Sequence, residues 1–199
     1  RLGVGSVDVY SIHAPLPYLG GRQAIFEALA EALELGLCRA VGLCNFNARQ
    51  VRETHNLCQR LGVPLLTNQI RYNIFNIERE LDGTIETCLE LGLHPVAHSP
   101  LARGIATTRC AQAYMHRAES SKQNILRNGI GRWAPQEIAA LQSTFAALSA
   151  VAEAGGSTAA RTETQVAVQF AMAKGCLPIP GVTKPEQAEE LASALRWEL

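Results

Sequence analysis

Five short apolar runs in this chain close on residues suited to meeting a ligand. VDVYSI is followed by His13, AVGLC by Asn45, LLTN by Gln69, PVA by His98 and Ser99, and CLPI by Pro180 and Gly181. Taken singly, each polar residue has an ordinary structural reading. His13 can be a satisfied core histidine, and Asn45 or Gln69 can cap the helix that follows. Taken together, polar groups at four of five run ends point to a shared site. Two glycines add to it: Gly104 follows HSPLAR, and Gly181 stands between a run and a helix that starts near Pro185. Glycine ahead of a helix lets backbone amides approach a phosphate, and Lys184 adds a cation there. His13, His98 and Cys44 are also possible zinc ligands from different run ends. No H-x-H pair or acidic ligand follows any run, so no metal is expected.

The elements that must position these residues repeat along the chain. ELGLCRAVGL from Glu34, RLGVPLLTNQ from Arg60, ELGLHPVAHS from Glu90 and AKGCLPIPGV from Ala173 each pass from a helical last turn, through a Gly, into an apolar run. Gly36, Gly62, Gly92 and Gly175 sit where a helix ends in the left-handed conformation. Upstream, Ile25, Leu29 and Leu33 share a helical face, as do Val51, His55 and Cys58, then Leu81, Ile85 and Leu89. Downstream, the nearly continuous apolar runs suit parallel strands buried on both faces. Strands are expected near 7–13, 40–45, 65–70, 95–99 and 176–180.

Alternating strands and helices predict an α/β fold of (β/α)8 TIM-barrel type, with about five parallel strands and the first three βα units lacking. The opening RLG matches the helix ends elsewhere, so the chain is expected to begin in mid-fold, as one domain over 1–199. A long excursion spans 101–161, with irregular patches NGIGRW and AGGSTAAR and a helix near 135–153. In barrels of this type the chemistry sits at the C-terminal strand ends.

Composition narrows the partners. The 199 residues are 47% hydrophobic, and 18 Lys and Arg balance 18 Asp and Glu without a basic stripe. Nucleic acid and anionic membrane surfaces are therefore not expected partners. No run is long enough to span a membrane, and no leader is visible. Six cysteines without a C-x-x-C pair suit a reducing intracellular compartment, cytoplasm or plastid stroma.

In sequence, VDVYSIHAP resembles the strand that carries the active-site histidine of the aldo/keto reductases, NADP(H)-dependent (β/α)8-barrel enzymes. AVGLCNFNARQV is similar to that family's G-V-S-N-F segment, LTNQIRYN to its strand-ending Gln, and AHSPLARGIAT to its Y-S-P-L-x-x-G loop. TETQVAVQFAMAKGCLPIPGVTKPEQAEEL resembles the closing helix, strand and NADP-phosphate loop, and the tail looks most like a plant and plastid-type branch. The motifs come in order over essentially the whole chain, which corresponds to the last five-eighths of the family's barrel.

The resemblance implies hydride transfer from a nicotinamide to a carbonyl carbon, while a tyrosine whose pKa a lysine lowers protonates the oxygen. It gives His13 the orientation of the carbonyl. Asn45 and Gln69, with Cys44 beside them, would bind the nicotinamide carboxamide, and His98 would stack on the ring. Ser99, Leu101, Arg103 and Gly104 would follow the pyrophosphate. Gly181, Lys184, Gln187 and Glu190 would surround the adenosine end.

Several positions depart from the family pattern. The catalytic tyrosine, its lysine and the paired aspartate belong upstream of Arg1, and none of Tyr10, Tyr18, Tyr72 and Tyr114 lies in a matching segment. Cys44 stands for Ser and His98 for a stacking Tyr. Gln187 and Leu191 replace Arg and Asn near the 2′-phosphate. Two readings remain open. One is an NADP(H) oxidoreductase acting on a small carbonyl substrate. The other is a non-catalytic derivative that has lost its cofactor, held where other protein subunits cover the open barrel edges.

Overall fold

A computed structural model describes residues 3–17, 20–104, 106, 143, 146, 150 and 161–198. The chain divides into two compact units. The first comprises Arg1–Tyr72, Asn76–His98 and Lys174–Leu177; the second comprises Asn73–Phe75, Ser99–Ala173 and Pro178–Leu199.

In the first unit, strands and helices alternate: β1 Val7–Ile12, α1 Gly21–Glu34, β2 Cys38–Cys44, α2 Ala48–Leu61, β3 Leu65–Arg71, α3 Glu78–Leu81, α4 Thr84–Glu90 and β4 His94–His98. With β5, Leu177–Ile179, they form a five-stranded sheet in chain order. The pairs β1–β2, β2–β3 and β3–β4 are parallel. The repeat glycines behave as their positions require, with φ of 69° at Gly36, 66° at Gly62, 73° at Gly92 and 75° at Gly175. Helix α2 opens on a reciprocal cap, in which Asn47 Oδ1 accepts from the Gln50 amide and Gln50 Oε1 from the Asn47 amide, both at 3.0 Å. The capping role open to Asn45 thus falls to Asn47.

Strand β2 is continuously buried from Val41 to Cys44, as its apolar run predicts, whereas burial alternates along β3 and β4. Val41, Leu43, Ile70 and Ala97 are fully buried on the helix side, where Val41 and Leu43 join Ile12, Phe26 and Leu29 of α1, and Val51 and Cys58 of α2, in one core. The opposite face carries Ser11, Gly42, Thr67 and Gln69 together with the apolar Val9 and Val96. Ser11, Gly42 and Thr67 stand side by side across three strands. A Cβ at Gly42 would lie 2.5 Å from Ser11 Oγ and 2.6 Å from Thr67 Oγ1. Any side chain at position 42 would collide with both hydroxyls.

One helical face also differs from expectation. Leu81, Ile85 and Leu89 do not share a buried stripe, because Gly83 adopts φ 73° and splits the segment into α3 and α4. Asp82 Oδ1 accepts from the Thr84 amide at 3.0 Å and restarts the helix in a new phase. Ile85 and Cys88 are buried, whereas Leu81 and Leu89 are exposed.

The second unit contains a 3₁₀ turn at Ala102–Gly104, α5 Glu163–Met172, the end of β5, α6 Pro185–Ser193 and a closing 3₁₀ turn at Ala194–Arg196. Two buried amides on α5 tie it to the chain end. Gln165 Nε2 donates to the Glu190 carbonyl at 3.3 Å and to Ser193 Oγ at 2.5 Å. Gln169 Nε2 donates to the carbonyls of Ala194 and Trp197. The Arg161 guanidinium lies 4.6 Å from the centre of the Trp197 ring. Of the helix expected near 135–153, Ser143, Ala146 and Ala150 are helical, and the remainder lies outside the described residues, as do Arg1, Leu2, NGIGRW and most of AGGSTAAR. Among the described residues no helix is long and apolar enough to cross a membrane.

Candidate functional site

In the first unit, strand register decides which candidate residues share a face. Ile12 lies opposite Leu43, Cys44 opposite Gln69, and Arg71 opposite His98. Side chains alternate along a strand, so Cys44, Gln69, Arg71 and His98 share the face opposite the Leu43–Ile70 core. His13 follows β1 directly and is exposed. Asn45 takes up φ 60° as β2 ends, and its amide donates to the Gln69 carbonyl at 2.8 Å. Asparagine tolerates this left-handed backbone better than most residues. Next along, the buried Asn68 Nδ2 donates to the Phe46 carbonyl at 2.9 Å and fixes the exit from β2.

The protonation states follow from the surroundings. Burial pushes the Cys44 thiol up, so it stays protonated at neutral pH. Burial, with the Arg71 charge second, holds the His98 imidazole below its ordinary range and keeps it neutral at pH 7. Among the described residues no group of three His, Cys, Asp or Glu could hold a metal ion.

The second unit holds a cleft of about 890 Å³. Its wall contains the sequence candidates Ser99, Leu101, Gly104, Gly181, Lys184, Gln187 and Glu190, joined by Thr162, Glu163 and Thr164 at the start of α5 and by Leu191 on α6. Ser99 has φ 57°, and its carbonyl accepts from Asn73 Nδ2 at 2.9 Å. Gly104 has φ 90° and closes the 3₁₀ turn. Arg103 belongs to that turn; its side chain is outside the described set. The cleft is of the size that binds small molecules and cofactors. Donors, carboxylates, one ammonium and apolar walls suit the polar and apolar parts of a dinucleotide.

Sequence reasoning missed Arg71, whose spacing two residues after Gln69 placed it on the same strand face. It also missed the cleft contribution of α5, because the Thr162–Gln165 capping box, with bonds of 3.1 and 3.2 Å, reads as purely structural. A tyrosine–lysine grouping does occur: Tyr72 OH donates to Glu80 Oε2 at 2.6 Å, and Lys174 Nζ to Glu80 Oε1 at 2.5 Å. Here the carboxylate lies between the other two. Burial and Glu80 drive the Tyr72 phenol upward, the reverse of an activated acid.

The aldo/keto reductase family model matches residues 1–199. The chain belongs to the aldo/keto reductase family. It is 28% identical over 200 residues to the chloroplastic pyridoxal reductase of Arabidopsis thaliana, covering 100% of this chain and 50% of that protein. The 6-dehydroglucose reductase of Novosphingobium aromaticivorans is 29% identical over 199 residues, covering 99% and 55%. Solved aldo/keto reductases share the fold. The glycerol dehydrogenase of Gluconobacter oxydans aligns with TM-score 0.76 and 22% identity, over 100% of this chain and 56% of that one. The Bombyx mori aldo-keto reductase in complex with NADP aligns with TM-score 0.67 and 22% identity, over 100% and 55%. This aldo/keto reductase chain therefore spans about half the length of the curated relatives it matches.

Proposed function

We propose that the chain carries the nicotinamide-dinucleotide cleft of an oxidoreductase that interconverts carbonyls and alcohols, with the acid tyrosine and its lysine contributed from outside these 199 residues. NADP(H) is the reference form, because the resemblance implies it and the silkworm relative binds it. The observation that carries the reading is the convergence of Ser99, Leu101, Gly104, Gly181, Lys184, Gln187 and Glu190 on one cleft. The bound dinucleotide supplies the hydride. The chain's own residues bind and orient: Lys184 offers a cation to phosphate oxygens, Leu101 an apolar wall, and Ser99 a hydroxyl. In the first unit, Asn45 and Gln69 present amides suited to a carboxamide. His13 is a hydrogen-bond donor suited to a small carbonyl substrate, and the neutral His98 is a ring able to stack. The whole chain is read as one domain of this type.

A non-catalytic binding or structural subunit is the second reading, and the described tyrosines favour it. Tyr10 lies with α1 against an apolar pocket on the helix side, and Tyr72 is buried on Glu80. Tyr72 follows β3 directly, but its hydroxyl is committed to Glu80. The described cysteines Cys38, Cys44, Cys58, Cys88 and Cys176 are free and buried, which supports a reducing compartment, cytoplasm or plastid stroma.

Titration of the purified protein with NADPH and NADH, followed by nicotinamide fluorescence, tests the reading. Saturable binding is expected, whereas no binding at millimolar cofactor would leave the structural-subunit reading. Produced by themselves, these 199 residues are expected to reduce no aldehyde, and measurable turnover would place a working acid within them.

A further inference from the structure

One strand-end residue of the first unit still lacks a role. Arg71 closes β3, two residues beyond Gln69 and opposite His98 on β4. Resting on the oxidoreductase reading above, we infer that Arg71 is a specificity-determining residue that binds the carboxylate of a carbonyl substrate, so that oxo acids are preferred.

Three observations carry this. The first is direction. Asn68 reaches the Phe46 carbonyl and Cys88 Sγ, and Tyr72 reaches Glu80 on α3. The even-numbered side chains at this end of β3 therefore face the helices. Gln69 and Arg71 face the other way, roughly 7 Å apart along the strand, and Arg71 is exposed there.

The second is charge. Asp8 is the one acidic residue within β1–β4. It shares its parity with the core residue Ile12 and pairs with Arg39 at 3.1 Å, on the face away from Arg71. Arg71 makes no ion pair with any described residue. Arg60, the other described arginine of this unit without one, lies in the last turn of α2, where a cation suits the helix end. His98 beside Arg71 is kept neutral, by burial first and by the Arg71 charge second. The strands of this face thus present one fixed cation, Arg71, and no acid.

The third is chemistry. A guanidinium is a planar fork of N–H donors that takes both oxygens of a carboxylate in short, charge-assisted bonds. A single cation matches a monoanion, whereas a phosphate dianion would ask for a second one. A carbonyl compound held at these strand ends would gain affinity from a carboxylate and none from an uncharged group in its place.

NMR titration of the His98 ring in the purified protein at low salt tests the inference, with 4-oxopentanoate as the acid and 2-pentanone as its uncharged counterpart. The acid is expected to shift the His98 signals saturably and to bind about tenfold more tightly than the ketone. That difference is expected to shrink as salt is added. Arg71→Gln is expected to abolish the preference and Arg71→Lys to keep part of it, with urea unfolding confirming that both variants fold. Equal binding of the two probes, or a preference that Arg71→Gln leaves intact, overturns the inference. An Arg71→Gln variant that loses more affinity for NADPH than for the acid also overturns it, because the charge then serves a cofactor phosphate. If the acid binds through Arg71 and neither dinucleotide binds, the oxidoreductase reading falls and the anion site stands.

Discussion

The two units position their candidate residues by different physical means. In the first, Cys44, Gln69, Arg71 and His98 are aligned by the backbone ladder of three parallel strands. In the second, the cleft walls are carried on α5 and α6, and side-chain amides hold those helices together. A ladder spreads its stability over many bonds, so a single substitution seldom moves a strand end. A cleft clamped by two buried glutamines concentrates its dependence on a few atoms.

Gln169→Leu tests the weaker arrangement and has the largest expected effect. Gln169 is 2% exposed, and its amide serves two backbone carbonyls. Leaving both without a donor costs about 3 kcal/mol. Urea unfolding followed by tryptophan fluorescence is expected to show that loss together with weakened dinucleotide binding. Unchanged stability would show that water or other donors serve the carbonyls.

Gly42→Ala probes the ladder. The new Cβ meets Ser11 and Thr67 hydroxyls at 2.5 and 2.6 Å, and such overpacking costs about 1–3 kcal/mol. The expected outcome is a lower urea midpoint with a smaller loss of dinucleotide affinity than Gln169→Leu gives, since Gly42 belongs to the sheet and not to the cleft. A large loss of affinity from this change would erase the distinction between the two regions.

The smallest effect is electrostatic. Arg71→Gln removes a charge that holds the His98 pKa down, so the imidazole is expected to titrate higher while staying below 6.5 because burial remains the larger cause. The unfolded chain takes up this proton more readily than the folded one. The stability that neutral His98 represents is therefore complete above the ordinary histidine value and is lost as pH falls through it toward the folded pKa. NMR titration of His98, with urea unfolding at pH 7 and pH 5, is expected to show a smaller loss in the variant. A downward or absent shift would mean that Arg71 does not act on His98.

Much of this arrangement was legible beforehand. The helix-ending glycines marked where each helix must stop, because a left-handed cap suits a residue without a Cβ, and the apolar runs after them marked the strands. What misled the reading was local. Leu81, Ile85 and Leu89 have helical spacing, but Asp82 and Gly83 restart the helix between them, and a phase break of that kind overrides periodicity. Arg71 escaped notice because two-residue parity matters only once a strand's facing is known.

By itself the sequence determined the alternation of strand and helix, the polar residues at the strand ends and the family, since these follow from periodicity, cap chemistry and ordered motifs. Only the tertiary structure decided which of those residues meet. Cleft membership for Gln187, Glu190 and Glu163 depends on contacts among residues up to 28 positions apart, such as Gln165 to Ser193. No local pattern encodes the charge that results on the cleft wall. It arises from side chains brought together by packing, and packing acts on distance in space and not on distance along the chain.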